Sequence, residues 1–152
     1  MSYAIDSNIL ARSIENSHSM QQPALEAIEL LLNNGIALFV LAQNLYEFWV
    51  IATRPTNKNG LGLSAADAES HLSRFETLFS VKVDTPAIYS EWRQLVCQHS
   101  VMGKPAHDAR IAAAMVVHGI SHLLTFNKPD FKRFQGITAV TPGEIFNVLS
   151  NP

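Results

Sequence analysis

The strongest constraint on the fold is the apolar segment at residues 36–41, which contains no polar residue. It has the length of a strand, and an uninterrupted apolar strand is covered on both of its faces. Strands of parallel sheets are buried in this way, whereas antiparallel sheets commonly leave one face in water. The segment therefore predicts a strand inside a parallel sheet.

Segments of strand length alternate with segments of helical periodicity along nearly the whole chain. The predicted strands lie at residues 3–5, 36–41, 81–83, 122–125 and 136–140. Predicted helices begin near residues 23, 43, 64, 85, 108 and 145. This alternation indicates a parallel α/β sandwich with right-handed crossovers. Neither a repeat nor a linker divides the 152 residues, so we expect a single domain over residues 1–152.

The connections between these segments are less regular. Residues 7–8 are predicted as a turn after the first strand, and residues 100–106 as a loop. Residues 11–22 are polar and carry no assignment.

Composition excludes several classes of protein. A hydrophobic fraction of 47% and a charged fraction of 16% are typical of a globular domain rather than a disordered chain or a coiled coil. The net charge of −2 argues against a protein that coats nucleic acid through a broad basic surface. The sequence has no apolar run of bilayer length, no signal peptide and only one cysteine, Cys97, so we expect a cytoplasmic protein without membrane contact.

Acidic residues fall at places that converge in a parallel sheet. Asp6 directly follows the first predicted strand, where ligands bind in such sheets. Glu47 lies on the polar edge of an apolar helix that follows the second strand. Asp108 begins an alanine-rich helix, and Asp130 follows the strand at residues 122–125 together with Asn127. Each residue alone also fits a structural role, as a cap, a turn residue or a solvated side chain.

Taken together, these positions predict a metal site. Carboxylates that share one crevice repel each other by about 4 kcal/mol per pair at an effective dielectric constant near 20. Protons or a divalent cation would relieve that repulsion, and ligands that are all oxygen favour Mg²⁺ or Mn²⁺ over Zn²⁺. The six histidines and one cysteine show no zinc spacing, and His107 is better explained as a cap or core contact than as a ligand.

Several segments carry a resemblance to a known family. AIDSNIL, LYEFWVIATRP with NGLGLS, KPAHDARIAAAMVVHG and HLLTFNKPDFKRF resemble the PIN domain, and in particular its VapC-type toxin branch. The resemblance extends from the first strand to the last. It implies a three-layer α/β/α sandwich with a five-stranded parallel sheet. It also implies a ribonuclease that depends on Mg²⁺ or Mn²⁺, acts in a toxin–antitoxin pair, forms a homodimer and is inhibited by a small antitoxin protein.

The same resemblance suggests roles for individual residues. Asp6, Glu47 and Asp108 match the first three acids of the family and are the implied metal ligands. Asn127 occupies the position where many relatives have a fourth acid, and Asp130 could serve instead. Asn8 and Thr125 would orient these ligands by contacting the ligand side chains rather than the metal.

Partners follow from the same interpretation. Basic residues cluster around the third and fourth acids and could hold flanking phosphates of the RNA, although each also fits a solvated surface. They are Arg110, the strongest candidate, and Lys104, Lys128, Lys132 and Arg133. The helices predicted at residues 24–33 and 64–79 are expected to form the groove for the antitoxin.

Three alternatives compete with a PIN-like nuclease. A phosphatase of the haloacid dehalogenase type needs a second aspartate at the position of Asn8. A receiver domain needs a Lys-Pro pair at the end of a strand, whereas Lys104-Pro105 precedes a helix. A catalytically weakened PIN-like module that binds metal or RNA remains open, because Asn127 replaces an acid.

Overall fold

A computed structural model describes residues 1–151 as a five-stranded, entirely parallel sheet between helices. Its strands are β1 (Ser2–Ile5), β2 (Ala37–Leu41), β3 (Ser80–Lys82), β4 (His122–Leu124) and β5 (Thr138–Val140). They are ordered β3-β2-β1-β4-β5, so β1 is central and pairs with both β2 and β4. The predicted parallel α/β fold is confirmed.

Helices cover both faces of this sheet. They are α1 (Ser7–Ile14), α2 (Gln21–Asn33), α3 (Ala42–Thr53), α4 (Ala65–Leu78), α5 (Pro86–Gln98), α6 (Pro105–His118) and α7 (Ile145–Ser150). One hydrophobic core joins the sheet to α1, α2, α3, α4 and α7, and a second core joins it to α5 and α6. The result is the three-layer α/β/α sandwich that was expected. Within residues 1–151, no helix combines the length and apolar character needed to cross a membrane.

Two predicted connections were wrong. Residues 7–8 do not form a turn but begin helix α1, because the Asp6 side chain accepts a hydrogen bond from the Ser7 N–H and caps the helix. Helix α6 begins at Pro105, inside the predicted loop at residues 100–106, and proline is well suited to a first helical position. Asp108 therefore lies in the first turn of α6. Strand β3 begins one residue earlier than predicted, at Ser80.

The strand order explains where a ligand can bind. The chain leaves β1 towards β2 on one side, and the later strand β4 pairs with β1 on the other side. At such a switch point the connecting helices diverge to opposite faces and leave a crevice at the carboxyl ends of the strands. Asp6 follows the last residue of β1 and therefore lies at this crevice.

Candidate functional site

Among the acids of the crevice, Asp6 has the carboxylate that is most firmly held by hydrogen bonds. It is only 4% exposed, and its two oxygens accept hydrogen bonds from different elements. Oδ1 accepts the Ser7 N–H at 2.8 Å, while Oδ2 accepts the Thr125 hydroxyl at 2.7 Å and the Asn8 amide at 3.4 Å. The carboxylate is thus held in one orientation before any ligand binds.

Asn8 and Thr125 are themselves held by the backbone after β4. The Asn8 amide donates to Thr125 Oγ1 at 3.1 Å, and Asn8 Oδ1 accepts the Phe126 N–H at 3.2 Å. Thr125 Oγ1 also accepts the Asn127 N–H at 3.0 Å, which leaves its own proton for Asp6. Both residues predicted to orient the acids therefore lie beside Asp6 and contact it.

Glu47 reaches the crevice from α3. Its Oε2 accepts the Ser7 hydroxyl at 3.2 Å, and its Oε1 accepts the Gln43 amide at 2.9 Å. On a helical wheel, Asn44 and Arg54 would be neighbours of Glu47, but both point elsewhere. The Asn44 side chain accepts the Leu41 N–H at the start of α3, and Arg54 donates to a backbone carbonyl in the following loop.

Gln43 is a site residue that the sequence analysis missed. It is 7% exposed and bridges α3 to α6, because its amide also donates to the His107 carbonyl at 2.9 Å. Its Oε1 accepts Arg110 Nη1 at 2.8 Å, and Arg110 Nη2 pairs with Asp84 at 2.9 Å. The signal that could have identified it is its position one helical turn before Glu47, on the same face.

Asp108 approaches from the first turn of α6. The pKa of Asp108 is raised to about 6, mainly by burial and also by the negative charges of Asp130 and Glu47. Asp130 lies in the short 3₁₀ helix Lys128–Phe131 that follows β4. It is therefore Asp130 that contributes the fourth negative charge near Asp108. Asn127 is exposed, and its backbone N–H binds Thr125.

The pKa of Asp6 shows that these acids are close enough to interact. This pKa is raised to about 6, mainly by burial and also by the charges of Glu47 and Asp108, although the hydrogen bonds from Thr125 and Ser7 oppose the rise. The charges of Glu47 and Asp108 therefore act on Asp6, and those of Asp130 and Glu47 act on Asp108. Negative charge therefore accumulates around the buried Asp6 carboxylate, which is the situation that a bound cation relieves.

The donor set fits a hard cation that keeps part of its water. Across residues 1–151, no three His, Cys, Asp or Glu side chains are arranged to hold one ion by themselves. A closed cage of the structural zinc type is therefore a poor fit. Mg²⁺ commonly binds through one or two carboxylates, several waters and substrate phosphates, which suits separate carboxylates around a crevice.

The basic residues predicted to bind phosphate differ in how they are held. Arg110 is committed to Gln43 and Asp84, and Lys128 Nζ pairs with Glu144 at 2.6 Å. Arg133 lies close enough to Asp108 to lower its pKa. The other two candidates, Lys104 and Lys132, are exposed.

Comparisons with known proteins agree with this architecture. The PIN domain family profile matches residues 3–137. Solved structures share the fold at low sequence identity. VapBC2 from Rickettsia felis, bound to a DNA fragment from its promoter, has 19% identity and a TM-score of 0.66 over 93% of this chain and 98% of that chain.

Two further structures support the same fold. VapC20 from Mycobacterium tuberculosis, a sarcin–ricin loop cleaving toxin, has 17% identity and a TM-score of 0.64 over 85% of this chain and 92% of that chain. A toxin–antitoxin complex from Klebsiella pneumoniae has 20% identity and a TM-score of 0.63 over 93% and 98%. Among curated proteins no match was found.

Proposed function

Because the chain belongs to the PIN domain family, we propose that it is a divalent-metal-dependent endoribonuclease that hydrolyses RNA phosphodiester bonds. The observation that supports this most directly is the coupling of acids from separate elements at one crevice. Asp6 follows β1, Glu47 lies in α3, Asp108 in α6 and Asp130 in the turn after β4. Structural roles explain each acid singly, but they give no reason for acids from four elements to meet.

The solved relatives suggest the biological role. One is described as a toxin that cleaves the sarcin–ricin loop, and another is a toxin–antitoxin complex. We extend this to the present chain as the toxin of a toxin–antitoxin pair that acts on cytoplasmic RNA. A single cysteine fits the reducing conditions of that compartment.

The cation in this proposal is Mg²⁺ or Mn²⁺, held by Asp6, Glu47 and Asp108 together with water and a substrate phosphate, with Asp130 as the fourth acid. When bound, such an ion polarises a phosphate oxygen and lowers the pKa of a coordinated water. The protein contributes orientation. Thr125 and Asn8 aim the Asp6 oxygens, and Ser7 and Gln43 fix the two oxygens of Glu47.

The basic residues then have distinct tasks. Arg133, beside Asp108, and the exposed Lys104 are the best placed to hold phosphates that flank the scissile bond. Lys128 can contribute only after its pair with Glu144 opens. Arg110 can contribute only through N–H groups that Gln43 and Asp84 leave free.

The decisive experiment compares RNA cleavage with Mg²⁺, Mn²⁺ or EDTA for the wild type, Asp6→Asn and Asp108→Asn. Cleavage is expected only with the metal, and both substitutions should reduce it strongly. Asp67→Asn is the matched control, because this exposed aspartate lies in the first turn of α4. Cleavage that persists in EDTA and in both variants would contradict the proposal. Mn²⁺ binding without cleavage would instead favour a PIN-like module that has lost its activity.

An antitoxin is the second partner that we propose. A groove of about 450 Å³ lies between α2 and α4, where the sequence analysis expected it. Apolar side chains line it, including Leu25 and Ile28 from α2 and Phe75 and Leu78 from α4. Leu78 is 50% exposed, so the groove offers apolar surface to a helical segment of a small protein.

Co-expression with the product of an adjacent small reading frame tests this partner. A stable complex is expected, and Leu78→Asp should weaken it because a charge would enter the apolar groove. Val116→Asp is the matched control, since this exposed residue lies on α6 in the opposite layer. Light scattering on the isolated chain tests the homodimer that we also propose. A monomer indifferent to the small protein would contradict both.

A further inference from the structure

A cavity lies between α5 and α6, the helix that carries Asp108. Its volume is about 300 Å³, at the lower end of the range for small-molecule sites. Thr85, Ile88, Tyr89 and Trp92 line it from the start of α5, and Arg110 lines it from α6. The cavity therefore combines two aromatic rings with one guanidinium group.

Two walls of this cavity are tied to the elements that carry the acids. Arg110 donates to Gln43, whose amide donates in turn to Glu47. The Trp92 indole N–H donates to the Ala106 carbonyl at 2.8 Å, two residues before Asp108. A group bound in the cavity would thus be linked to Glu47 through Arg110 and Gln43, and to the first turn of α6 through Trp92.

Tyr89 contributes an exposed aromatic ring to the cavity. Its side chain is 63% exposed, and its ring meets the Trp92 ring at a centroid distance of 6.0 Å and an angle of 32°. An aromatic ring that is largely free of protein contacts offers a face to another flat group. Tyrosine and tryptophan are enriched at interfaces, because their rings are apolar at one end and polar at the other.

We propose that this cavity, called here the α5 pocket, binds one nucleobase of single-stranded RNA next to the phosphate that is cleaved. The inference rests on the proposed ribonuclease function and adds to it a base-binding subsite. Bases splayed out of loops stack on aromatic rings and on guanidinium planes, and the pocket supplies both. Two N–H groups of Arg110 are used by Gln43 and Asp84, and the others remain available for the edge of a base.

The test measures binding of fluorescein-labelled oligo(A), oligo(U) and an abasic ribose-phosphate oligomer of equal length in EDTA, where metal-dependent cleavage does not occur. The wild type should prefer the oligomers that carry bases. Tyr89→Ala should weaken their binding by about 5–160-fold, the range for the loss of one base–aromatic stack, and leave the abasic oligomer unaffected. Tyr89→Phe keeps the ring and should retain the preference.

Phe146→Ala is the matched control. Phe146 is an aromatic residue of similar exposure, 67%, on α7 in the layer opposite α5. This variant should bind all probes as the wild type does. Equal loss in Phe146→Ala and Tyr89→Ala would overturn the proposal, since a general effect of surface aromatics would then explain the result.

Failure of this inference can be distinguished from failure of the proposed function. If the wild type cleaves RNA with Mn²⁺ but binds the abasic oligomer as well as oligo(A), only the base subsite is wrong. If it neither binds nor cleaves any RNA, the ribonuclease assignment fails as well. If Tyr89→Ala changes the oligomeric state without changing RNA binding, the pocket is a contact between copies of the chain, which also overturns the proposal.

Discussion

The Asp6 and Asp108 sides of the crevice contain carboxylates whose pKa is raised to about 6, but they are held differently. Asp6 accepts hydrogen bonds from a backbone N–H, a hydroxyl and an amide. Within residues 1–151, no donor binds the carboxylate of Asp108, whose surroundings contribute mainly burial and the charges of Asp130 and Glu47. Hydrogen bonds hold the carboxylate of Asp6, whereas burial and neighbouring charges determine the environment of Asp108.

This difference indicates how the crevice would receive a cation. Asp6 is preorganised, so a ligand that binds it loses little orientational freedom. Asp108 has no such restraint and can turn towards an ion, at the cost of electrostatic repulsion while no ion is present. Glu47 joins the two sides, because Ser7 from the Asp6 side and Gln43 beside α6 each bind one of its oxygens.

The largest expected effect is on catalysis. Asp6→Asn and Asp108→Asn should each lower kcat/KM for RNA with Mn²⁺ by about 100–1,000-fold, the range seen when one preorganised charge-stabilising group is lost. Raising the Mn²⁺ concentration should restore the activity of Asp108→Asn more than that of Asp6→Asn. The reason is that Asp108→Asn keeps the hydrogen-bonded Asp6 carboxylate, whereas Asp6→Asn loses it. Equal rescue of the two variants would show that the hydrogen bonds around Asp6 do not matter for metal binding.

The second effect is on stability and has the opposite sign. The pKa of Asp6 is about 6 in the folded chain, whereas a solvated aspartate has a pKa of 3.8, so folding binds a proton that the unfolded chain releases. Asp6 therefore favours the folded state fully below pH 3.8, and this contribution is lost as the pH rises through 6. A difference of about 2 in pKa corresponds to at most about 3 kcal/mol. In EDTA above pH 6, Asp6→Asn should be more stable than the wild type.

Urea unfolding on both sides of this pH window checks the prediction. The advantage of Asp6→Asn should disappear below pH 3.8, where the wild-type carboxyl is protonated in both states. Mn²⁺ should stabilise the wild type above pH 6 by binding the folded state. The prediction would be contradicted if the wild type became more stable relative to Asp6→Asn as the pH rises from 3.8 to above 6.

The sequence predicted the crevice because the position of the crevice depends on the direction and order of the strands. Unbroken apolar runs such as residues 36–41 indicate parallel strands, and the carboxyl ends of parallel strands share one edge. This placed Asp6 and Asp130 on the same side before any contact was known. The position of Asp108 follows from the same rule. Helix α6 leads into β4, so the first turn of α6, which contains Asp108, lies at the edge where the parallel strands end.

The contacts around each acid were harder to predict because they depend on competition between neighbours. Asn44 and Gln43 both lie about one turn before Glu47, and spacing alone does not separate them. Asn44 is used by the Leu41 N–H at the start of α3, which leaves Gln43 for Glu47. Likewise, residues 7–8 have turn chemistry, and they become helical because Asp6 caps α1.

Thr125→Val tests the ordered side without touching an acid. The substitution nearly preserves the shape of the side chain but removes the hydroxyl that donates to Asp6 at 2.7 Å. Residues that orient a metal ligand typically contribute 10–100-fold to metal affinity or activity. Calorimetric titration with Mn²⁺ should show a loss in that range, and Thr125→Ser should restore the affinity. A full loss in Thr125→Ser would mean that packing of the methyl group, rather than the hydroxyl, is required.

The smallest effects concern the link between the two sides through Glu47. Gln43→Ala should lower kcat/KM by about 10-fold, at the lower end of what such orienting residues contribute, and Ser7→Ala by less. The reason is geometric: Gln43 donates to Glu47 at 2.9 Å and is itself held by Arg110, whereas the Ser7 hydroxyl donates at 3.2 Å. Gln43→Ala should also cost about 0.5–1.5 kcal/mol in unfolding free energy, because the hydrogen bond from α3 to the His107 carbonyl of α6 is lost. If Ser7→Ala had the larger effect on kcat/KM, Glu47 would belong to the ordered side alone, and the two sides would not be joined through it.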